Sequence, residues 1–158
     1  MRKPLAIYLI RHADAVSPHQ WQGEGGLRPL TKLGRRQAQG LIDQIADVHL
    51  KRVLSSPAVR CMQTVEPLAL AHRVDVEETD DLAEGAGAQP TFILMELLSG
   101  IDAALCTHGD VIEDVIGRLV EMGVLEARDV KPTEKASTWV IEERGGRPVS
   151  ARYLPPAR

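Results

Sequence analysis

The hydrophobic pattern opens on an unbroken apolar run at residues 5–10, bounded by Pro4 and Arg11. A run with no polar face predicts a strand buried on both sides. Residues 13–29 are polar, carry Pro18, Gly23, Gly25, Gly26 and Pro29, and predict a loop. Connections of that length are commonly functional or mobile. Leu33, Ala38, Leu41, Ile42 and Ile45 then recur at helical spacing, predicting a helix over 32–48 with Thr31 as its cap. Gly34 and Gly40 weaken it. Residues 51–55 predict a short strand, and Pro57 suits the first turn of a helix running to residue 72. Pro67 predicts a kink or break in that helix. A strand over 73–76 leads into the acidic segment 77–87. Residues 89–98 predict a helix and 101–107 an apolar strand. Val111, Ile112, Val115, Ile116, Leu119 and Val120 give the clearest helical period, over 109–122. Two last strands, over 135–142 and 149–154, flank a Gly145-Gly146 turn.

Strand and helix alternate along most of the chain. This predicts an α/β fold: a three-layer α-β-α sandwich around a mostly parallel central sheet. Ligands of such sheets bind beyond the carboxyl ends of the strands. The residues after 10, 54, 76 and 106 are therefore the ones to inspect.

Composition narrows the function classes. The 158 residues predict a single domain, 1–158. With 44% hydrophobic and 26% charged residues, the chain has material for a core and is not of the disordered type. Lys plus Arg number 19 against 22 Asp plus Glu, a net charge of −3, which argues against extended nucleic-acid binding. Cys61 and Cys106 form neither a CxxC pair nor a disulfide framework, so a reducing cytoplasm is the expected setting. The run at 5–10 is too short for a signal-peptide core or a membrane span, and no membrane association is expected.

The strand ends are where polar chemistry gathers. Arg11 and His12 follow the first strand, Ser55, Ser56 and Arg60 the second, Glu84 lies in the acidic segment after the third, and His108 follows the fourth. Two arginines and two histidines converging in a mildly acidic chain suit a dianion, and phosphate matches guanidinium geometry best. Taken singly, each has a plainer reading. His12 is also what a hydrogen-bonded core histidine looks like, Arg11, Arg60 and Glu84 what surface charges look like, and His108 what a helix cap looks like. A metal site from His12, His108 and an acidic partner is open on spacing, but guanidinium groups do not belong around a cation. No metal or other cofactor is expected. His19, His49 and His72 show no ligand spacing. Arg28, on the long loop, suits either a second phosphate or plain surface charge. Trp21 suits either a substrate contact or a pin for its own loop.

These strings resemble the histidine phosphatase superfamily, of phosphoglycerate-mutase-like fold. Leu9-Ile10-Arg11-His12-Ala13 is similar to its Arg-His-Gly signature. Residues 30–38 are similar to its "LT..G..QA" helix start and residues 54–64 to its "SSP..R..QT" segment. Thr107-His108-Gly109 is similar to the context of its second histidine. The four motifs keep the family order and span residues 5 to about 120. The short length resembles the small bacterial branch of SixA-type phosphohistidine phosphatases. It also resembles the phosphatase-like domain joined to a Nudix domain in mycobacterial MutT-type proteins, although this chain has no Nudix-like box.

The resemblance implies a phosphatase that works without metal. His12 would be the nucleophile that becomes phosphorylated, and Arg11, Arg60 and His108 would bind the phosphoryl group. Glu84 would donate the proton to the leaving oxygen, with Asp80 or Asp81 as substitutes. It implies a phosphorylated small molecule or a phosphoprotein as substrate, phosphohistidine and nucleotide phosphates included. The alternative is a phosphate-binding module without turnover. The last strands would lie at the periphery of the sheet. Ala13 departs from the signature glycine, and a methyl group fits there only at negative φ. No insert between residues 86 and 101 would cover the pocket.

Overall fold

In the computed structural model, which describes residues 4–157, the first apolar run forms strand β1 (Ala6–Arg11). There follow α1 (Lys32–Gln44), β2 (Arg52–Ser55), α2 (Val59–Ala71) and β3 (Val76–Glu78). Then come α3 (Gln89–Leu97), β4 (Ala103–Thr107), α4 (Gly109–Glu121), β5 (Thr138–Arg144) and β6 (Arg147–Leu154). All six strands join one sheet in the order β3-β2-β4-β1-β5-β6. The pairs β2·β3, β2·β4 and β1·β4 are parallel; β1·β5 and β5·β6 are antiparallel.

β1 and β4 are almost wholly buried because each of their faces packs on a helical layer. Ile7 and Leu9 of β1 share one core with Leu94 and Met95 of α3 and with Val111, Ile112, Val115 and Leu119 of α4. Ala6, Tyr8 and Ile10 point the other way, into a second core with Leu41 of α1 and Cys61, Val65 and Leu68 of α2. The period-2 alternation of a strand thus separates two hydrophobic cores, and the three-layer sandwich follows. Large side chains of this kind contribute about 1.5–3 kcal/mol each on burial. Five of them on α4 (Val111, Ile112, Val115, Ile116 and Leu119) clamp that helix to the sheet.

Four local expectations need correction. The helix after β2 begins at Val59 rather than at Pro57, because Ala58 is still extended (φ −57°, ψ 134°) and acts as its N-cap. Pro67 lies inside α2 without breaking it, since the face of Cys61, Thr64, Val65, Leu68 and Ala69 stays buried on both sides of the proline. The strand expected over 73–76 begins only at Val76. Arg73 instead takes a left-handed φ of 58° and ends α2, with the Val74 N–H returning to the Ala69 carbonyl at 3.0 Å. Finally, the late strands are not peripheral as a pair. β5 lies directly beside β1, and only β6 forms an edge. Gly145 and Gly146 turn the hairpin with φ of 60° and 81°, the conformation a tight antiparallel connection demands.

Candidate active site

Three parallel strands end at one level. Arg11 of β1 pairs with Thr107 of β4, and Ser55 of β2 with Cys106 of β4. The ladder runs one residue further on each side: the His12 N–H donates to the Thr107 carbonyl (3.1 Å) and the Ser56 N–H to the Cys106 carbonyl (3.0 Å). His12, Ser56 and His108 are therefore neighbours by register. The rings of His12 and His108 stand edge to face with centroids 5.5 Å apart.

His12 is buried, and its Nδ1 lies 2.9 Å from the Ala13 carbonyl. A carbonyl only accepts, so Nδ1 carries the proton and Nε2 is left with a free lone pair. Burial pushes the imidazole pKa down to about 3, with the electrostatic influence of Arg60, His108 and Arg11 acting in the same direction and the Ala13 hydrogen bond opposing them. At neutral pH the ring is uncharged.

Arg60 stands on the first turn of α2, is 4% exposed and converges on the same point. Its NH2 lies 3.3 Å from His108 Nδ1, and its NH1 donates to the Gly25 carbonyl at 3.2 Å. Because a guanidinium only donates, His108 Nδ1 accepts, and its Nε2 turns a proton to Ser56 Oγ at 2.8 Å. Arg11 is anchored by NH1 to the Thr133 carbonyl (2.7 Å) and lies flat against Gly109, where a Cβ would come within 3.1 Å of the guanidinium. Arg11 and Arg60 each keep a buried Nε with no hydrogen-bond partner among the described residues. Buried donors of this kind call for an acceptor. Cys61 Sγ approaches His108 Nε2 at 3.6 Å.

Glu84 reaches the cluster from the far side of the cleft, with Oε2 3.5 Å from Arg60 NH2 and 3.9 Å from His108 Nδ1, while remaining 69% exposed. Asp80 and Asp81 sit in the 3-10 turn before it, and neither makes an ion pair with Arg60 or His108. A cleft of about 590 Å³ is lined by Arg60, His108, Glu84 and Ser56 together with Arg28 and Leu27, while His12 and Arg11 are not among its lining residues. Arg28 donates to the Val16 carbonyl at 2.7 Å, and partial burial, aided by Arg60 and opposed by Glu84, lowers its pKa. Trp21 is turned into its own loop. Its indole N–H donates to the Glu24 carbonyl at 2.8 Å, and it does not line the cleft. A larger groove, about 1020 Å³, runs along α1 and α2 past Ile42, Met62 and Leu70 and contains none of these groups.

The remaining motif positions hold the loop that carries His12. The Ala13 N–H donates to Thr64 Oγ1, the Asp14 N–H to Gln37 Oε1 and the Leu30 N–H to Gln63 Oε1, each at 2.9 Å. Thr31 Oγ1 caps α1 by accepting from the Gly34 N–H at 3.1 Å. Ala13 has no left-handed φ, and its methyl group is buried with Ala15, Leu30, Ala38 and Ala136. The condition for replacing the signature glycine is met. Two contributions were given no role by the sequence. Ser56 was visible only as a motif letter, and residues 133–137 carry no motif, yet the Thr133 carbonyl fixes Arg11 and the Ala136 N–H reaches the carbonyls of Arg11 and His12 at 3.1 Å. No group of three or more His, Cys, Asp or Glu side chains placed to hold a metal occurs among the described residues.

Residues 7–89 match the family model of the histidine phosphatase superfamily (branch 1), and the chain belongs to that family. It is 30% identical over 155 residues to an 8-oxo-(d)GTP phosphatase of Mycolicibacterium smegmatis, covering 95% of this chain and 48% of the relative. It is 35% identical over 78 residues to a Proteus mirabilis protein assigned as the phosphoglycerate mutase GpmB, covering 46% of this chain and 34% of the relative. The chain thus spans about half, or less, of the length of the curated relatives it matches. Among solved structures, the protein histidine phosphatase SixA in complex with tungstate superposes with a TM-score of 0.75 at 16% identity, over 97% of this chain and 96% of that one. An Agrobacterium tumefaciens protein assigned as phosphohistidine phosphatase SixA gives 0.71 at 23% identity, over 98% and 100%. At these identities the shared property is the fold.

Proposed function

We propose that this chain forms a phosphohydrolase domain that passes a terminal phosphoryl group to His12 and then to water. The observation that carries the reading is the Nδ1–Ala13 hydrogen bond, which leaves Nε2 of a neutral, buried imidazole unprotonated beside two guanidinium groups. The Nε2 lone pair attacks phosphorus as the bond to the leaving oxygen breaks, and Glu84 gives that oxygen its proton. Water then attacks the phosphorus, returns a proton to Glu84, and the P–N bond breaks. Arg11 and Arg60 hold the equatorial oxygens as charge moves among them, and His108 joins them when Nδ1 carries a proton. The positive charge the transition state requires is thus supplied by side chains. A pure binding module has no use for a free Nε2.

The substrate class we propose is a phosphorylated small molecule, with nucleotide phosphates first. The 8-oxo-(d)GTP phosphatase relative supports this, as does a cleft whose Arg28 lies within electrostatic reach of Arg60 and whose walls include Leu27, Pro57 and Ala83. Phosphohistidine on a protein is the second class. Both cysteines are free and buried, which supports a reducing compartment such as the cytoplasm. No helix among the described residues is long and apolar enough to cross a membrane.

Rapid mixing with an aryl phosphate in excess EDTA, quenched in strong base, tests the mechanism. One phosphoryl group per chain is expected, stable to alkali and released by acid, with mass analysis placing it on His12. H12A should carry no label and turn over almost nothing. An acid-stable label, a label that survives H12A, or activity that returns only with added divalent metal would overturn the reading.

A further inference from the structure

Glu84 is a poorly held group for the task proposed above. Its side chain is mostly exposed, and its contacts are an ion pair with Arg60 at 3.5 Å and an approach to His108 Nδ1 at 3.9 Å, neither of them a hydrogen bond. An acid that must meet one leaving oxygen needs its place fixed to well under an ångström. Since the carboxylate does not fix itself, its backbone has to.

Three hydrogen bonds fix that backbone, and all three come from the stretch of β4 and α4 that flanks His108. Thr107 Oγ1 donates to the Leu82 carbonyl at 2.6 Å. Asp110 Oδ2, on the first turn of α4, accepts from the Gly85 N–H at 2.8 Å. Asp114 Oδ2, one turn later, accepts from the Ala88 N–H at 2.7 Å. Between these anchors the chain turns through Gly85 and Gly87, both at left-handed φ (83° and 77°), and the Ala86 N–H closes on the Ala83 carbonyl at 3.0 Å. Asp110 and Asp114 lie four residues apart on α4, hence on one face of it. That face grips the segment immediately after Glu84.

We infer that Asp110 and Asp114 are positioning residues: by holding the Gly85 and Ala88 amides they set the distance between the Glu84 carboxyl group and the phosphoryl pocket at His108. The inference rests on Glu84 being the proton donor. Neither aspartate touches the cleft, so neither should affect a reaction that needs no proton donor.

Leaving-group dependence separates this role from a structural one. Alkyl phosphates need a proton on departure, whereas a dinitrophenyl phosphate does not. E84Q should lower kcat/KM for an alkyl phosphate at least about 100-fold and leave the dinitrophenyl ester within a few-fold. D110A and D114A, which remove the acceptors, should each lower the alkyl ester about tenfold and spare the dinitrophenyl ester. D110N and D114N keep an amide oxygen to accept the same N–H and should restore most of the rate. In the E84Q background, D110A should have no further effect. If E84Q shows the dependence while D110A and D114A lower both esters equally, lower neither, or add to E84Q, the positioning role is overturned and the role of Glu84 stands. If E84Q itself shows no dependence on leaving group, both fall together.

Discussion

The nucleophile role proposed for His12 requires a neutral imidazole, and burial and the nearby guanidinium groups both keep the ring from taking a second proton. The pKa of about 3, set first by burial and then by Arg60, His108 and Arg11, has a consequence for stability. Above pH 6.5 the ring is neutral folded or unfolded, and its titration has no effect. Below that value the unfolded chain takes up a proton that the folded site refuses. Stability present above the unfolded pKa is therefore lost as the pH falls toward the folded one, by about 1.4 kcal/mol per unit through the middle of that window. Urea denaturation at pH 7 and pH 5 should show the wild type losing about 2 kcal/mol more than H12Q, which lacks the titrating ring. Equal losses in the two proteins would mean that His12 titrates near its ordinary value and that its neutrality is not built in. That His12 and Arg60 come together was legible from sequence, because His12 follows β1 directly and Arg60 lies on the first turn of the helix after β2. The roles of Ser56 and Thr133 were not, because a hydroxyl and a backbone carbonyl leave no signature until the fold brings them to a ring or a guanidinium.

Among the elements, helical period and apolar runs were read correctly wherever tertiary packing agrees with them, as in α4 and β1. The misreadings occur where a single backbone event decides the boundary: the left-handed Arg73 that ends α2, and the extended Ala58 that delays its start. Gly34 and Gly117 show how far one residue type diverges with its surroundings. Both lie in helices, α1 and α4. A Cβ on Gly34 would collide with the Asp14 carbonyl, in the loop that follows His12, whereas one on Gly117 would meet nothing within 4 Å. The glycine that looked like a flaw in α1 is thus what lets the helix approach the loop that follows His12. G117A should stabilise the protein by up to about 1 kcal/mol through helix propensity alone. G34A should destabilise it by about 1–3 kcal/mol and lower kcat/KM as well, since the strain falls on the backbone carrying His12. Chemical denaturation of the two variants checks the opposite signs, and a neutral G34A would refute the close approach of α1 to that loop.

At the scale of the whole molecule, the sheet brings residues from positions 11 to 137 to one end, and the prediction of a parallel α/β sheet located that end before any side chain was placed. What sequence left out was the antiparallel return. β5 inserts beside β1, so residues 133–137 form part of the site's floor instead of a distant rim. The assembled floor gathers Arg11, Arg60 and His108 around a neutral His12, and the carboxylate that approaches them among the described residues, Glu84, is mostly in solvent. A fold built in this way should gain stability when an anion occupies the pocket. Ligand at 100 times its dissociation constant adds about 2.7 kcal/mol to folding. For a chain of this size, where 1 kcal/mol moves the melting temperature about 2–4 °C, that is a rise of about 5–10 °C. Phosphate or tungstate should raise the melting temperature by this amount at saturating concentrations. Arg60→Met, which keeps the buried volume and removes the charge, should lose most of the rise, remain folded without the anion, and lower kcat/KM by about 100-fold. Were R60M to melt like the wild type with and without phosphate, the anion would be binding elsewhere, and the convergence of guanidinium groups at the strand ends would be an ion-pair arrangement and not a phosphoryl pocket.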